Sequence, residues 1–281
     1  MALSFLNKRS QEREMTFVDH LEELRWHIVR SLIAVIVVAI VLFVNMDWFF
    51  DTIIMGPIRP DFISYEALCR FSHWAGMGDS LCMPPVQAKL QAVTFGSQFI
   101  SSISIAFVGG VIVAFPYIFW EFWRFIKPAL TPKELESTRF AIAFVSFFFF
   151  LGAAFGYYLM APFTFSFLGN YHIGTGLMLE TRPMLSDYVD NLVNITLGAA
   201  LAFQLPVVSY VLTKIGLITP AFLKTYRKYA FVGILVVAAI ITPSPDWMSQ
   251  MIVTVPLVLL YEMSIVISAR IHKEEEAKMN S

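Results

Sequence analysis

Asp19, His20, Glu22 and Glu23 stand within the stretch Phe17-Val-Asp-His-Leu-Glu-Glu-Leu-Arg25, directly ahead of the first long apolar run of the chain. Carboxylates at that place oppose the local field, because an anionic cytoplasmic leaflet attracts Lys and Arg. Their chemistry suits a cationic ligand presented at the membrane surface. On a helix, Glu23 and His27 are four apart and His20 and Glu23 three apart, so they share a face; a weak Glu23–His27 pair is the competing reading to a ligand contact at Glu23, and the spacing also allows Glu22 to pair with Arg25. Another carboxylate, Glu134, follows Thr131-Pro132. Thr131 suits the N-cap, Pro132 the first helical position and Glu134 the reciprocal capping site, with Leu130 and Leu135 as a staple. One oxygen of Glu134 can cap while the other faces solvent.

The remaining candidates are few. Gln204 lies in the middle of an apolar run, where an amide needs a partner or water. Cys69 and Cys82 fall in one loop and are expected to form a disulfide in an oxidising compartment. His172 reads as a surface residue rather than a metal ligand, and Asp187 and Asp190 as solvated groups at a helix end. No His-Glu-x-x-His, Gly-x-Ser-x-Gly or aspartate pair on adjacent spans is present, which argues against an intramembrane protease. The expectation is a protein that is not an enzyme and holds no cofactor or metal.

The elements that must position these residues are membrane spans. Of 281 residues, 57% are apolar and 15% charged, against about 25% charged in soluble domains. Charge-free runs cover 31–46, 90–120, 140–179, 191–213, 229–245 and 247–261. A helix needs about 20 residues to cross about 30 Å of hydrocarbon. The second, third and fourth runs suffice, and the first does if Arg30 and Asp47 snorkel outward. Thr242-Pro-Ser-Pro-Asp-Trp247 reads as a tight turn between two short spans. Spans that short predict local bilayer thinning or tilt. A helix start is expected near Phe17, behind a capping box at Thr16, and another at Thr219-Pro220. The outward loop 48–89 is expected to hold short helices.

Six spans place both termini on one side. That side carries 16 of the 20 Lys and Arg residues; Arg59, Arg70, Lys89 and Arg182 lie on the other. By the positive-inside rule both termini are cytoplasmic. The first 30 residues lack an apolar core and a small-residue cleavage site, so the first span is expected to serve as its own insertion signal. The fold class is therefore an all-α integral membrane protein with six transmembrane helices, the last two short. Residues 1–270 form one membrane domain and 271–281 a charged cytoplasmic tail.

Taken in order, several motifs resemble TatC, the multispanning subunit of the twin-arginine protein translocase. They are His20–Arg25, Gly56–Ile58, Phe122–Leu130 with Glu134, Phe155–Leu168, Phe203–Pro206, Arg227–Tyr229 and Thr242–Gln250. The resemblance implies a receptor in the bacterial cytoplasmic (inner) membrane for folded precursors whose signal peptides carry paired arginines. It implies single-span partner subunits of the TatA/TatB type, a homo-oligomer within a larger complex, and export driven by the proton-motive force. Nucleic acid is not an expected partner. Carried over by position, Glu23 and Glu134 would face the arginine pair, with Glu22 and Phe125 close by. A guanidinium is a planar fork that a carboxylate meets with two parallel bonds, which Lys cannot copy. Pro57, Tyr157, Asp246 and Gln250 match positions tied to structure or transport competence. Gln204 departs from the glutamate that members often carry there; it can hydrogen-bond but cannot hold a charge. The alternative, a secondary transporter of small solutes, would need ionisable midplane groups and inverted repeats, and neither stands out.

Overall fold

Packing of the long apolar runs shapes the computed structural model, which is helical throughout and describes residues 17–279 except 75, 77, 80–81, 85, 87–88, 128–140, 172–181, 215 and 243–246; the side chains of 17–21, 141, 247–249 and 274–279 are also left aside. The capping boxes at Thr16 and Thr131 and the Pro-rich turn at 243–246 lie outside the described residues. The first helix, α1 (Phe17–Val44), continues through α2 (Met46–Phe49) into a π-turn (Phe50–Ile54) and a 3-10 turn (Gly56–Ile58). Helix α3 (Ile63–Trp74) lies in the 48–89 loop, as expected of a segment that long, and α4 (Ser97–Ile126) is the second long helix. Then come α5 (Ala141–Phe155), a π-turn (Gly156–Met160) and α6 (Ala161–Asn170), which together make the third apolar stretch. The fourth is α7 (Leu185–Ala202) followed by α8 (Leu205–Lys214), broken where Phe203 and Gln204 form a turn ahead of Pro206. Helices α9 (Pro220–Thr225), α10 (Arg227–Ile241) and α11 (Trp247–Met279) complete the chain.

Among the described residues, five stretches are long and apolar enough to cross a membrane: Glu22–Val44, Ser97–Ile126, Ile142–Asn170, Leu185–Lys214 and Gln250–Lys273. Helix α10, at 15 residues, is the short one anticipated from the fifth charge-free run. The last helix departs from expectation. It is not short but runs for 33 residues. Glu262, the charge that ends the sixth charge-free run, is paired with Arg227 at the start of α10, 2.7 Å away. With its charge matched, Glu262 does not end the helix.

Helix α1 packs along α4, α4 meets α5 and α7, and α5 crosses α7; α8, α9 and α10 all contact α11. Gly152 and Gly156 make the α5–α7 crossing possible. A Cβ at Gly152 would stand 2.7 Å from the Ala199 carbonyl oxygen, and one at Gly156 would stand 2.9 Å from that of Ile195. Small residues four apart let helix backbones approach in this way. Phe115 of α4 stacks on the buried Phe149 of α5. Thr213 donates to Ser268 across the α8–α11 contact at 2.8 Å. Thr219 caps α9 as its sequence predicts, accepting from the Phe222 N–H at 3.2 Å with Pro220 behind it.

The π and 3-10 turns after α2 free carbonyls that an α-helix would have satisfied. Three tyrosines take them. Tyr157 donates to the Ile53 oxygen and Tyr188 to that of Ile54, both at 2.5 Å, and Tyr65 donates to Pro57 at 2.8 Å. Burial pushes the Tyr65 phenol up to about 12. A parallel bridge between Gln91 and Met184 ties the end of the outward loop to the start of α7.

Candidate functional site

Where α1 begins and α4 ends, polar side chains gather around a buried carboxylate. Glu121 is 1% exposed and His27 6%. His27 Nδ1 lies 2.5 Å from Glu121 Oε2. Tyr117 donates to Oε1 at 3.0 Å, and the Arg124 and Arg30 guanidiniums stand 3.7 and 3.9 Å from the carboxylate. A buried carboxylate is costly unless it is paired and hydrogen-bonded. Here every neighbour serves that end. The Phe125 ring meets His27 edge-on at 6.1 Å, so Phe125 lies against the α1 face that carries Glu23 one turn earlier.

His27 therefore pairs with Glu121, and the Glu23–His27 pair does not form. A partner 94 residues away, held in a buried site, outcompetes a half-buried neighbour on the same helix. The Glu22–Arg25 pair is also absent; the Arg25 guanidinium lies over the Trp26 ring instead, 5.8 Å from its centre. Neither Glu22 nor Glu23 has a hydrogen-bonded or ion-paired partner among the described residues. Glu22 is exposed and Glu23 half-buried. Glu134 and Asp246 lie outside the described residues, as do the side chains of Asp19 and His20.

Sequence reasoning passed over Glu121 and Tyr117. A signal was present: Glu121 is an acid among aromatic residues at the inner end of the longest early run, with Tyr117 four residues before it and Arg124 three after. That spacing puts all three on one face.

Toward the same end of the bundle, an apolar cavity of about 470 Å³ opens between α4 and α8, lined by Phe115, Phe119, Val145, Gln204, Val207 and Val211 among others. Gln204 Nε2 donates to the Val145 carbonyl at 3.3 Å, while its Oε1 is buried and accepts no hydrogen bond among the described residues. Pro57 is fully buried and anchored through Tyr65. Tyr157 joins the π-turn at Ile53 and meets Phe62 edge-on at 5.6 Å. Gln250 reaches the Leu235 oxygen of α10 at 3.4 Å, a long contact. At the far end of the molecule, Cys69 and Cys82 are joined as a disulfide with Cα atoms 4.3 Å apart.

Fold and site together define a multi-span helical membrane protein with a buried carboxylate at one end and an amide in one broken span. Residues 19–256 match the family model described as Sec-independent protein translocase protein (TatC). The chain is 38% identical over 272 residues to the Sec-independent protein translocase protein TatC of Blattabacterium sp. subsp. Periplaneta americana, covering 95% of this chain and all of that one. It is 32% identical over 277 residues to the TatC of Desulforapulum autotrophicum, covering 96% of this chain and 92% of the relative. A crystal structure described as the twin-arginine translocase receptor TatC superposes with a TM-score of 0.67 at 30% identity, over 90% of this chain and 99% of that one. The chain belongs to the TatC family of protein translocase components. Family membership gives no support to the solute-transporter alternative.

Proposed function

We propose that this protein is the signal-peptide receptor of a twin-arginine translocase in the bacterial inner membrane. It binds the paired arginines of folded precursors at its cytoplasmic face and, with single-span TatA/TatB-type subunits in a larger complex, supports export driven by the proton-motive force. It acts by binding rather than by catalysis. The observation that carries this reading is the contrast between two glutamates at the start of α1 and the end of α4. Glu121 is enclosed by His27, Tyr117, Arg30 and Arg124, whereas Glu23, one turn before His27, has no hydrogen-bonded or ion-paired partner among the described residues. A carboxylate left unneutralised beside a neutralised one is available to an incoming guanidinium. In this reading Glu23 and Glu134 receive the arginine pair, and Glu22 and Phe125 flank it.

The proposed topology has six spans with both termini cytoplasmic, and α10 is the fifth in chain order and the shortest. Its exposed face is apolar, with Val232, Val236 and Ile240 turned outward, which suits lipid better than water. Gln204 is assigned to polar groups of a partner helix; it lines the cavity beside α8, and its buried Oε1 accepts no hydrogen bond among the described residues. Pro57, Tyr157, Asp246 and Gln250 are assigned to holding the outer cap and the α10–α11 connection in a transport-competent form. The last of these is a proposal about shape rather than ligand contact.

Photocrosslinking from positions 23 and 134 tests the receptor reading. A precursor with paired arginines is expected to crosslink, and the same precursor with both changed to lysine is expected not to. Equal crosslinking of the two would mean that these carboxylates do not read the pair. Gln204→Leu is expected to weaken partner binding; unchanged binding and export would remove Gln204 from its assigned role.

A further inference from the structure

The outward loop holds a second group of chemically competent side chains that the receptor reading does not use. Cys69, His73, Asp79 and Cys82 each present one donor atom, and these atoms all lie within 4.8 Å of one another. Cys69 and His73 are four apart on α3, on one helix face, with Sγ and Nδ1 3.8 Å apart. His73 Nε2 lies 3.1 Å from Asp79 Oδ1. Four tetrahedral ligands placed 2.0–2.3 Å from a zinc ion stand about 3.3–3.8 Å from each other. With Nδ1 held on the Cys69 carbonyl at 2.9 Å, Nε2 is the nitrogen left to a metal, and it already stands close to that spacing from Asp79, while the disulfide holds the two sulfurs too close to share an ion.

What keeps the four together is not only the disulfide. The chain turns back after α3 through Gly76 and Gly78, at φ of +71° and +61°, conformations that L side chains rarely adopt. Ser72 donates to the Gly78 carbonyl at 2.5 Å, and the Cys82 N–H donates to the Asp79 carbonyl at 3.0 Å. Neither bond involves a sulfur atom. His73 and Asp79 are 58% and 87% exposed on the side-chain scale, so an ion can reach them.

We propose that Cys69, His73, Asp79 and Cys82 form a redox-gated zinc site. With the disulfide intact, the loop is closed covalently and no thiolate is available. A dithiol reductant transfers two electrons and two protons to the Cys69–Cys82 bond and becomes a disulfide itself. The two thiols then release their protons as Zn2+ binds, giving two thiolates, one imidazole and one carboxylate around the metal. That donor set is a tetrahedral zinc set. The loop is clamped in either state, by a covalent bond when oxidised and by a metal when reduced.

The test uses the full chain in detergent, reduced with a phosphine and titrated with Co2+, then with Zn2+. One equivalent of Co2+ is expected to give tetrahedral d–d bands and a thiolate-to-cobalt charge-transfer band, bleached by Zn2+. The oxidised chain is expected to give neither. His73→Ala and Asp79→Ala, each checked by size exclusion in the oxidised state, are expected to weaken Co2+ binding at least about tenfold. If either variant elutes abnormally, His73→Gln or Asp79→Asn replaces it. A reduced chain without the charge-transfer band overturns the proposal, as does a midpoint unmoved by either substitution.

Discussion

Removing Glu121 takes away the carboxylate that the buried His27 pairs with, and leaves Tyr117, Arg30 and Arg124 without the group they surround. Breaking such a pair costs about 3–5 kcal/mol. Glu121→Ala is therefore expected to lower the thermal stability of the purified protein sharply. His27→Ala in the Glu121→Ala background should cost much less than it does alone, and a double-mutant cycle in which the two effects simply add would mean that the pair is not coupled. Tyr65 gives a residue-level dependence on pH. Its phenol lies in α3, outside the membrane-length stretches, and burial holds it at about 12, above its ordinary value of 10.0. A group whose value is raised on folding contributes stability that is complete below the unfolded value and lost as pH climbs through the folded one. Stability is thus expected to fall between about pH 10 and pH 12, and Tyr65→Phe should remove part of that alkaline loss. An identical alkaline profile in the variant would place the titration elsewhere.

At the scale of elements, the α5–α7 crossing and the tyrosine-held turns are the parts most exposed to single substitutions. Gly152→Leu would drive a side chain into the Ala199 backbone, an overpacking expected to cost about 3 kcal/mol. Gly233 on α10 has nothing within 4 Å of an added Cβ, so Gly233→Ala should be neutral or slightly stabilising, by up to about 1 kcal/mol. Comparing the two in one thermal-unfolding series separates close packing from helix propensity. Tyr188→Phe leaves the buried Ile54 carbonyl unsatisfied and is expected to cost about 1–3 kcal/mol. Much of this level is legible in the sequence. Charge-free runs mark the spans, Thr219-Pro220 marks the start of α9, and Gly152 and Gly156 mark a close approach. The His27–Glu121 pair is not legible, because nothing local in either segment names a partner 94 residues away. The length of α11 escapes for the same reason. Whether Glu262 ends a span depends on Arg227, which belongs to another helix. The role of the tyrosines depends on which carbonyls the π and 3-10 turns release, and that is decided only once the backbone is folded.

For the whole molecule, the number of crossings decides the side on which each end emerges. Six crossings place both termini together and five place them apart. With Cys69 and Cys82 replaced by serine, single cysteines at Ser4 and Ser281 are expected to react with an impermeant thiol reagent in inverted vesicles but not in right-side-out cells. Labelling of the two positions from opposite sides would mean that α10 does not cross. The family is evident from residues spread along nearly the whole chain, and this breadth is why the resemblance and the match over residues 19–256 agree. The site is less legible than the fold, since a receptor surface is defined by what remains unpaired after folding. Glu121, which is paired, and Glu23, which has no partner among the described residues, look alike in the sequence.

Helix α1 meets the rest of the protein chiefly through α4, and most of its apolar side chains, among them Ile33, Val37, Val41 and Val44, face outward. In water such a surface would be adhesive. In a bilayer it is not, because acyl chains solvate Ile and Val as well as another helix does. Exchanging lipid for a protein helix along that face changes the free energy little, so the face can be covered and uncovered repeatedly without a large barrier to release. Selectivity along α1 must then come from the few positions where lipid is a poor substitute, and those are its polar residues near the headgroups.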